Sequence, residues 1–367
     1  MEKQRRTSDP DAAAEPRAAR DILVAGAVQG VGFRPFVHAL ATSLDLAGEV
    51  RNTSAGVEVR VEGNAAALEA FVARLVDDAP PLALIEDLSS VPAVPRGISG
   101  FSITPSEPGR RVDTLVTADA ATCDECLADI FDSRNRRYRY AFTNCTNCGP
   151  RFTITREVPY DRPGTTMSTF RMCVDCEREY NDPRDRRFHA QPNACPVCGP
   201  RLSLQLLRGD EALRETVTLL LGGGIAAVKG LGGYHLACDA TNAASVATLR
   251  TRKHRDEKPF AVMVSSVDEA RRYCHVSLPE AELLASARRP IVLLERTAGA
   301  AALADAIAPG MTTYGFFLPY TPLHHLLLSD AGRPLVMTSG NLSDEPIAYQ
   351  DGEAAARLSS LADALLS

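Results

Sequence analysis

The sequence predicts an α+β multidomain protein. Its three folded parts are a split β-α-β-β-α-β domain, a double four-cysteine module, and an α/β domain on a twisted, mixed sheet. Three observations carry this. Over residues 21–105 the apolar pattern alternates strand, helix, two strands, helix, strand. Eight of the ten cysteines form four CxxC pairs, and the second two pairs repeat the first two at an offset of 50 residues. From residue 203 onward, helices alternate with short apolar strands. The 367 residues are too many for one hydrophobic core, at roughly 100–200 residues per domain.

Residues 1–20 carry charge and proline without an apolar core, so a disordered tail is expected there. DILVAGAV (21–28) reads as the first strand. Pro35 is suited to a helix's first turn, and FVHALATSLDL continues that helix with an apolar stripe. EVRNTS (49–54) and VEVRVEG (57–63) are two strands turning at Ala55-Gly56. Asn64 is the N-cap of the helix AAALEAFVARLVDDA. Strands near 82–90 and at 98–104 complete a ferredoxin-like domain, and 105–117 reads as a linker.

Residues 118–202 hold the cysteine pairs, with few regular signals otherwise. The two units, 123–148 and 173–198, each read C-x2-C-x18-C-x2-C and run on into the same C-G-P-R string. Their members are Cys123, Cys126, Cys145 and Cys148, then Cys173, Cys176, Cys195 and Cys198. Two thiolates on one tight turn grip one ion, and two such turns complete a tetrahedral four-thiolate shell. Two structural zinc ions are therefore expected. Two pairings fit: each unit closing on itself, or an interleaved arrangement of first pair with fourth and second with third. The arginine-rich, aromatic stretches RNRRYRYAFTNC and DPRDRRFHAQPNAC precede the third cysteine of each unit. Such stretches could bind nucleic acid, but on zinc modules they more often contact other domains or solvate the surface. His189 is superfluous as a ligand, since four cysteines already complete each shell.

In 203–367 the pattern gives a helix at 209–222, the strand IAAVKG, a helix at 242–252 and the strand FAVMVS. Helices at 267–274 and 279–287 follow, then the strands IVLLER and PLVMTSG. KGLGGYHLACDA (229–240) reads as a glycine-rich turn from strand to helix. The terminal SSLADALLS reads as a helix without a C-cap, so the natural protein is expected to continue. Lysine occurs only at 3, 229, 253 and 258. Lys253, Arg255 and Lys258 crowd into RTRKHRDEKPFAVM, and so many cations ahead of a strand call for an anion such as a triphosphate. VMTSGNLSDEP offers Ser339 and Asn341 as neutral donors at a strand end. Cys238 and Cys274 lie outside the repeats and read as small buried hydrophobes rather than nucleophiles.

VQGVGFRPF (28–36) lies between strand and helix. Gly30 and Gly32 let the backbone curl its N–H groups into an anion cup, and Arg34, expected in a solvent-reached loop, adds a bidentate phosphate partner. The string resembles the acylphosphatase signature over 21–105. That resemblance implies that the loop and Arg34 bind an acyl phosphate and that Asn52 orients the attacking water. The strings in 225–347 together resemble the YrdC-like domain, which binds ATP and a small acid and forms an acyl adenylate. Its K-x-R and S-x-N elements fall on Lys253, Arg255, Ser339 and Asn341. His254 stands between the two cations where tRNA-modifying relatives often have glycine.

In this order the three segments resemble the HypF family, the carbamoyltransferases of NiFe-hydrogenase maturation. The resemblance implies that carbamoyl phosphate is hydrolysed in the first domain and that the carbamate is adenylated with ATP and magnesium in the YrdC-like domain. A further C-terminal domain, not found in this sequence, then transfers the carbamoyl group to a C-terminal Cys thiol of a partner protein, the precursor of an iron-bound cyanide.

A net charge of −6 argues against a chain built mainly to hold nucleic acid. No apolar run approaches ~18 residues, so no membrane span is expected. No secretory signal is visible, so a cytoplasmic setting with reduced thiols, favouring metal over disulfides, is expected. The competing readings are an RNA-binding or tRNA-modifying YrdC-like protein with a zinc module, and a thiol chaperone, which would need exposed low-pKa thiols.

Overall fold

The structure, a computed structural model, describes residues 17–107, 115–299, 303–342 and 345–367. They fall into two compact units. The first holds the described residues up to Thr117 together with Glu157–Asp161, and the second the described residues of Ala118–Arg156 and Arg162–Ser367.

In the first unit, β1 (Ala18–Ala27), β2 (Ala47–Thr53), β3 (Gly56–Gly63), β4 (Leu84–Ala93) and β5 (Phe101–Ile103) form one sheet ordered β4-β1-β3-β2-β5. All its pairings are antiparallel except β2 with β5. Helices α1 (Phe33–Ser43) and α2 (Ala65–Asp77) bury Val37, Leu40, Leu68, Phe71 and Leu75 with the inward residues of β1–β3, among them Ile22, Val24, Val50, Val57 and Val59. The inward positions alternate along each strand, as a half-buried sheet requires. Asn64 caps α2, its side chain accepting from the N–H groups of Ala66 at 2.8 Å and Ala67 at 3.4 Å. Such a cap contributes on the order of 1 kcal/mol. Residues 1–16 of the expected tail and 108–114 of the expected linker lie outside the described residues, while Ala18–Arg20 belong to β1.

The second unit begins with the cysteine region, which is more regular than its sequence suggests. Helices α3 (Asp124–Phe131) and α4 (Val174–Asn181) each start just after the first cysteine of a unit. Acidic residues fill both first turns, where the helix dipole favours them. A small hairpin, β6 (Ser203–Leu204) and β7 (Leu207–Arg208), leads into α5 (Asp210–Leu221).

The strands that follow are β8 (Ala226–Lys229), β9 (Tyr234–Asp239), β10 (Ala261–Met263), β11 (Val292–Glu295), β12 (Thr313–Phe317), β13 (Leu335–Ser339) and β14 (Ala364–Leu366). They form a mixed sheet ordered β11-β12-β10-β13-β9-β8-β14. Helices α6 (Ala243–Arg252), α7 (Val267–Arg271), α8 (Leu278–Ala285), α9 (Pro322–Ala331) and α10 (Asp351–Arg357) complete the unit. Ile130 and Ala141 of the cysteine region share one apolar core with Leu213 of α5 and Leu326 of α9. Residues 202 and 203 are therefore no boundary between separate cores.

Two expectations are corrected here. The glycine-rich 229–240 segment joins two antiparallel strands, β8 and β9, rather than a strand and a helix. The C-terminal SSLADALLS ends in β14, which pairs parallel to β8 at the sheet edge, and not in a helix. A short apolar run satisfies both periodicities, so the open edge of β8 decides.

Candidate functional site

The loop after β1 begins the first candidate site. Gly30 and Gly32 both take φ of +76°, a left-handed conformation that other residues adopt only with strain. Gly32 is the N-cap of α1 and makes no side-chain cap hydrogen bond. Gln29, buried, donates Nε2 to the carbonyls of Thr53 at 2.7 Å and Gly56 at 2.9 Å, tying the loop to the β2–β3 hairpin. Arg34 is not in a solvent-reached loop as expected. It is 7% exposed, because residues 157–161 cover it. Its Nη2 donates to Asp161 Oδ1 at 2.7 Å and to the Tyr160 carbonyl at 3.4 Å, and its Nη1 to Ser106 Oγ at 3.4 Å. Asn52, at the end of β2, donates Nδ2 to the same Tyr160 carbonyl at 3.3 Å. Its Oδ1 is buried with no hydrogen-bond partner among the described residues. A buried, unpaired acceptor costs about 1–3 kcal/mol unless a donor arrives, and a water molecule is such a donor.

The cysteines settle into two clusters, each closing on its own unit: Cys123, Cys126, Cys145 and Cys148, and Cys173, Cys176, Cys195 and Cys198. The interleaved pairing is excluded. Sulfur–sulfur separations are 3.7 Å for Cys123–Cys145, 3.8 Å for Cys145–Cys148, 3.7 Å for Cys173–Cys195 and 3.6 Å for Cys176–Cys198. A tetrahedron with zinc–sulfur bonds of about 2.3 Å has edges of about 3.8 Å, so both clusters suit zinc.

The arginine-rich stretches brace the two units against each other. Arg136 of the first unit donates to Cys176 Sγ of the second at 3.1 Å, and Arg137 to Glu179 at 2.6 Å. Fifty residues on, Arg186 donates to Cys126 Sγ of the first unit at 2.9 Å, and Arg187 to Asp129 at 2.5 Å. Burial alone would raise the Glu179 carboxyl, but Arg137 and Arg136 hold it down to about 2. With metal bound, these guanidinium groups would offset thiolate charge and hold the cysteine side chains in orientation. His189 is no ligand. It packs its ring against Tyr180 and Phe188.

In the α/β part, Lys253 caps the C-terminus of α6 and is 1% exposed. Its Nζ donates to the carbonyl of Ser339 at 2.7 Å, the carbonyl of Asn341 at 2.5 Å and Asn341 Oδ1 at 3.1 Å. Burial, and then the like charges of Arg255 and Lys258, push Lys253 down to about 8. Ser339 and Asn341 therefore face Lys253 as acceptors, and Ser339 Oγ donates to Asn341 Oδ1 at 2.6 Å. Arg255 donates to the carbonyls of Lys258 and Pro259 and to Thr338 Oγ1, and it lies over the Phe260 ring. The Lys258 side chain is exposed. His254 has φ of +50°, a left-handed conformation that glycine adopts without strain. Ser343 and Asp344 of this segment lie outside the described residues. Cys238 is fully buried in β9, and burial pushes its thiol up to about 12, against a nucleophilic role.

Three family models match this chain. "Acylphosphatase" matches residues 20–103, "HypF finger" matches 122–155 and 172–205, and the Sua5, YciO and YrdC model described as "Telomere recombination" matches 218–367. Carbamoyltransferase HypF2 of Cupriavidus necator is 50% identical over 373 residues, covering 96% of this chain and 46% of that protein. Carbamoyltransferase HypF of Rhodobacter capsulatus is 51% identical over 350 residues, covering 94% and 46%. The chain belongs to the HypF carbamoyltransferase family. A full-length HypF solved in its phosphate- and nucleotide-bound form superposes with a TM-score of 0.93 at 45% identity, covering 97% of this chain and 47% of that one. The chain spans about half the length of the curated HypF relatives it matches. No helix among the described residues is long and apolar enough to cross a membrane.

Within this HypF chain, sequence reasoning missed two groups. Tyr160 and Asp161 lie 126 and 127 residues beyond Arg34 and carry no motif. The other group is a histidine cluster beside Ser339, in which His324 is fully buried and His235 partly so. His235 pairs with Ser339 in the β9–β13 register, and its Nε2 lies 2.8 Å from Tyr320 Oη. Burial pushes His235 down to about 4 and holds the fully buried His324 well below the ordinary imidazole value, so both rings are neutral at pH 7. A Cβ on Gly230 would meet the His235 ring at 2.8 Å, which explains that glycine. The histidine in KGLGGYHLACDA and the pair in TPLHHLLL were the available signals.

Proposed function

We propose that this chain hydrolyses carbamoyl phosphate at the Arg34–Asn52 site and adenylates the released carbamate with ATP at the Lys253–Asn341 site. The product, carbamoyl adenylate, is the activated intermediate for carbamoyl transfer to the C-terminal Cys of a partner protein in NiFe-hydrogenase maturation, on the route to the cyanide ligand. The observation that carries this reading is the meeting of Lys253 with Ser339 and Asn341 in the same chain that sets Arg34 beside Asn52. The description of a solved relative as phosphate- and nucleotide-bound supports two anion sites of these kinds.

In hydrolysis, the loop N–H groups and Arg34 hold the phosphoryl oxygens, and Asn52 Oδ1 accepts a hydrogen bond from the attacking water. The P–O bond to the carbamoyl group breaks, releasing phosphate and carbamate. In adenylation, a carbamate oxygen attacks the α-phosphorus of ATP and pyrophosphate leaves. Both reactants are anions, so Lys253, Arg255 and Lys258 act by bringing them together and by stabilising the charge that develops. Magnesium, when bound with ATP, would supply further positive charge beside the one that Lys253, Arg255 and Lys258 provide. Two zinc ions hold the cysteine module as structural elements, and the setting is a cytoplasm that keeps thiols reduced.

The test is carbamoyl-phosphate-dependent exchange of label between pyrophosphate and ATP. Exchange that needs both carbamoyl phosphate and the chain supports the scheme. Exchange indifferent to carbamoyl phosphate refutes it.

A further inference from the structure

The segment Val158-Pro159-Tyr160-Asp161 packs with the first compact unit although it lies far along the chain from the loop it touches. The two functional side chains of that unit meet it at the same place. Arg34 Nη2 donates to Asp161 and to the Tyr160 carbonyl, and Asn52 Nδ2 donates to that carbonyl as well. The segment is fixed in turn by Gln29. The Tyr160 N–H donates to Gln29 Oε1 at 2.9 Å, and Thr117 Oγ1 donates to the Gln29 carbonyl at 2.6 Å. Tyr160 itself is 4% exposed.

We propose that this strap is a working part of the hydrolytic site, with Asp161 as a positioning residue for Arg34 and the Tyr160 carbonyl as the group that orients the Asn52 amide. The proposal rests on the reading of this site as the carbamoyl phosphate hydrolase. A backbone carbonyl can only accept a hydrogen bond, so it must take the NH2 end of the Asn52 amide. That leaves Oδ1, buried and without a partner among the described residues, as the end available to accept from the attacking water. Asp161 takes Nη2 of the guanidinium, which leaves Nε and one N–H of Nη1 for phosphoryl oxygens, in one fixed plane. Nothing in the β-α-β-β-α-β pattern supplies either constraint. A strap of this kind converts two mobile side chains into a preset pair, and such orientation acts on the chemical step more than on binding.

The opposite reading makes Asp161 a plug that competes with phosphate for Arg34. The two readings differ in sign. In the full chain, Asp161→Ala is expected to lower kcat for carbamoyl phosphate about 10- to 100-fold, with KM changed less than about threefold. Asp161→Glu, which keeps the carboxylate, should recover part of the loss. Gln29→Ala, which frees the Tyr160 N–H, should lower kcat in the same direction. Asp161→Ala should still fold, with some loss of thermal stability, because the buried Arg34 guanidinium keeps the Tyr160 carbonyl and Ser106 but loses its carboxylate. A kcat that is unchanged or raised in Asp161→Ala overturns the proposal. If wild-type chain hydrolyses carbamoyl phosphate and Arg34→Ala does not, yet Asp161→Ala is unaffected, the strap alone fails. If wild type neither hydrolyses carbamoyl phosphate nor binds inorganic phosphate, the hydrolase reading fails and the strap with it.

Discussion

A lysine ammonium surrounded by carbonyl oxygens and flanked by two further cations titrates unlike one at the surface. Lys253 falls to about 8 from an ordinary 10.5, through burial first and then through Arg255 and Lys258. Between those two values the unfolded chain keeps a proton that the native state has released. Native stability therefore rises with pH across that window, and the cost of the buried charge is fully present below about pH 8. A polyphosphate beside Lys253 reverses the shift, because it favours the charged form. ATP binding near pH 8.5 should then take up a fraction of a proton, seen in calorimetry as a binding enthalpy that varies with the buffer's ionisation enthalpy. A binding enthalpy independent of buffer would remove Lys253 from the nucleotide site. The scarcity of lysine singled out Lys253 in the sequence, and the structure sets it against the strand end that carries Ser339 and Asn341. The role given to Ser339 and Asn341 was not legible there. Sequence suggested side-chain donors, whereas the main-chain carbonyls at this strand end are what Lys253 meets, and no side-chain pattern reports a carbonyl's direction.

At the scale of elements, the cysteine units show how far a repeat can be read. The spacing fixed which thiolates turn together, and the duplication pointed to two equal sites. It did not show that each unit lends its arginines to the other, since contacts between repeats leave no trace in the spacing within them. The crossing has an energetic consequence. Arg186 and Arg187 lie between the two cysteine pairs of the second unit, yet they support Cys126 and Asp129 in the first. Fresh protein should contain two zinc ions, and Cys195→Ser should contain one, because a structural site contributes on the order of 10 kcal/mol to the fold around it. The remaining ion in Cys195→Ser should also leave about tenfold faster to a chelator than either ion of the wild type, since its supporting guanidinium groups are no longer held. A release rate equal to wild type would show two independent fingers. The terminal strand β14 teaches the complementary lesson. Ala364–Leu366 is too short for periodicity to separate strand from helix, and its pairing with β8, far away in sequence, settles the matter.

For the whole molecule, the two proposed chemistries fall on different compact units, and that separation can be tested by crossing substrates with variants. Arg34 lies in the first unit and Lys253 in the second. Arg34→Ala should abolish carbamoyl phosphate hydrolysis. It leaves Asp161 without its partner, and with Asp161 part-exposed the stability loss should be modest, about 1–2 kcal/mol, readable in denaturant unfolding. Lys253→Ala should leave hydrolysis close to wild type and remove pyrophosphate exchange. Arg34→Ala should lose exchange as well when carbamoyl phosphate is the source, because no carbamate is released. Carbamate also forms from bicarbonate and ammonia at high concentration, and this supply bypasses the first unit. Concentrated ammonium bicarbonate should therefore restore exchange in Arg34→Ala and fail to restore it in Lys253→Ala. Restoration in both would move adenylation away from Lys253. Restoration in neither would mean that carbamate must be made inside the protein to be used, so that hydrolysis and adenylation could not be uncoupled by supplying the intermediate from solution.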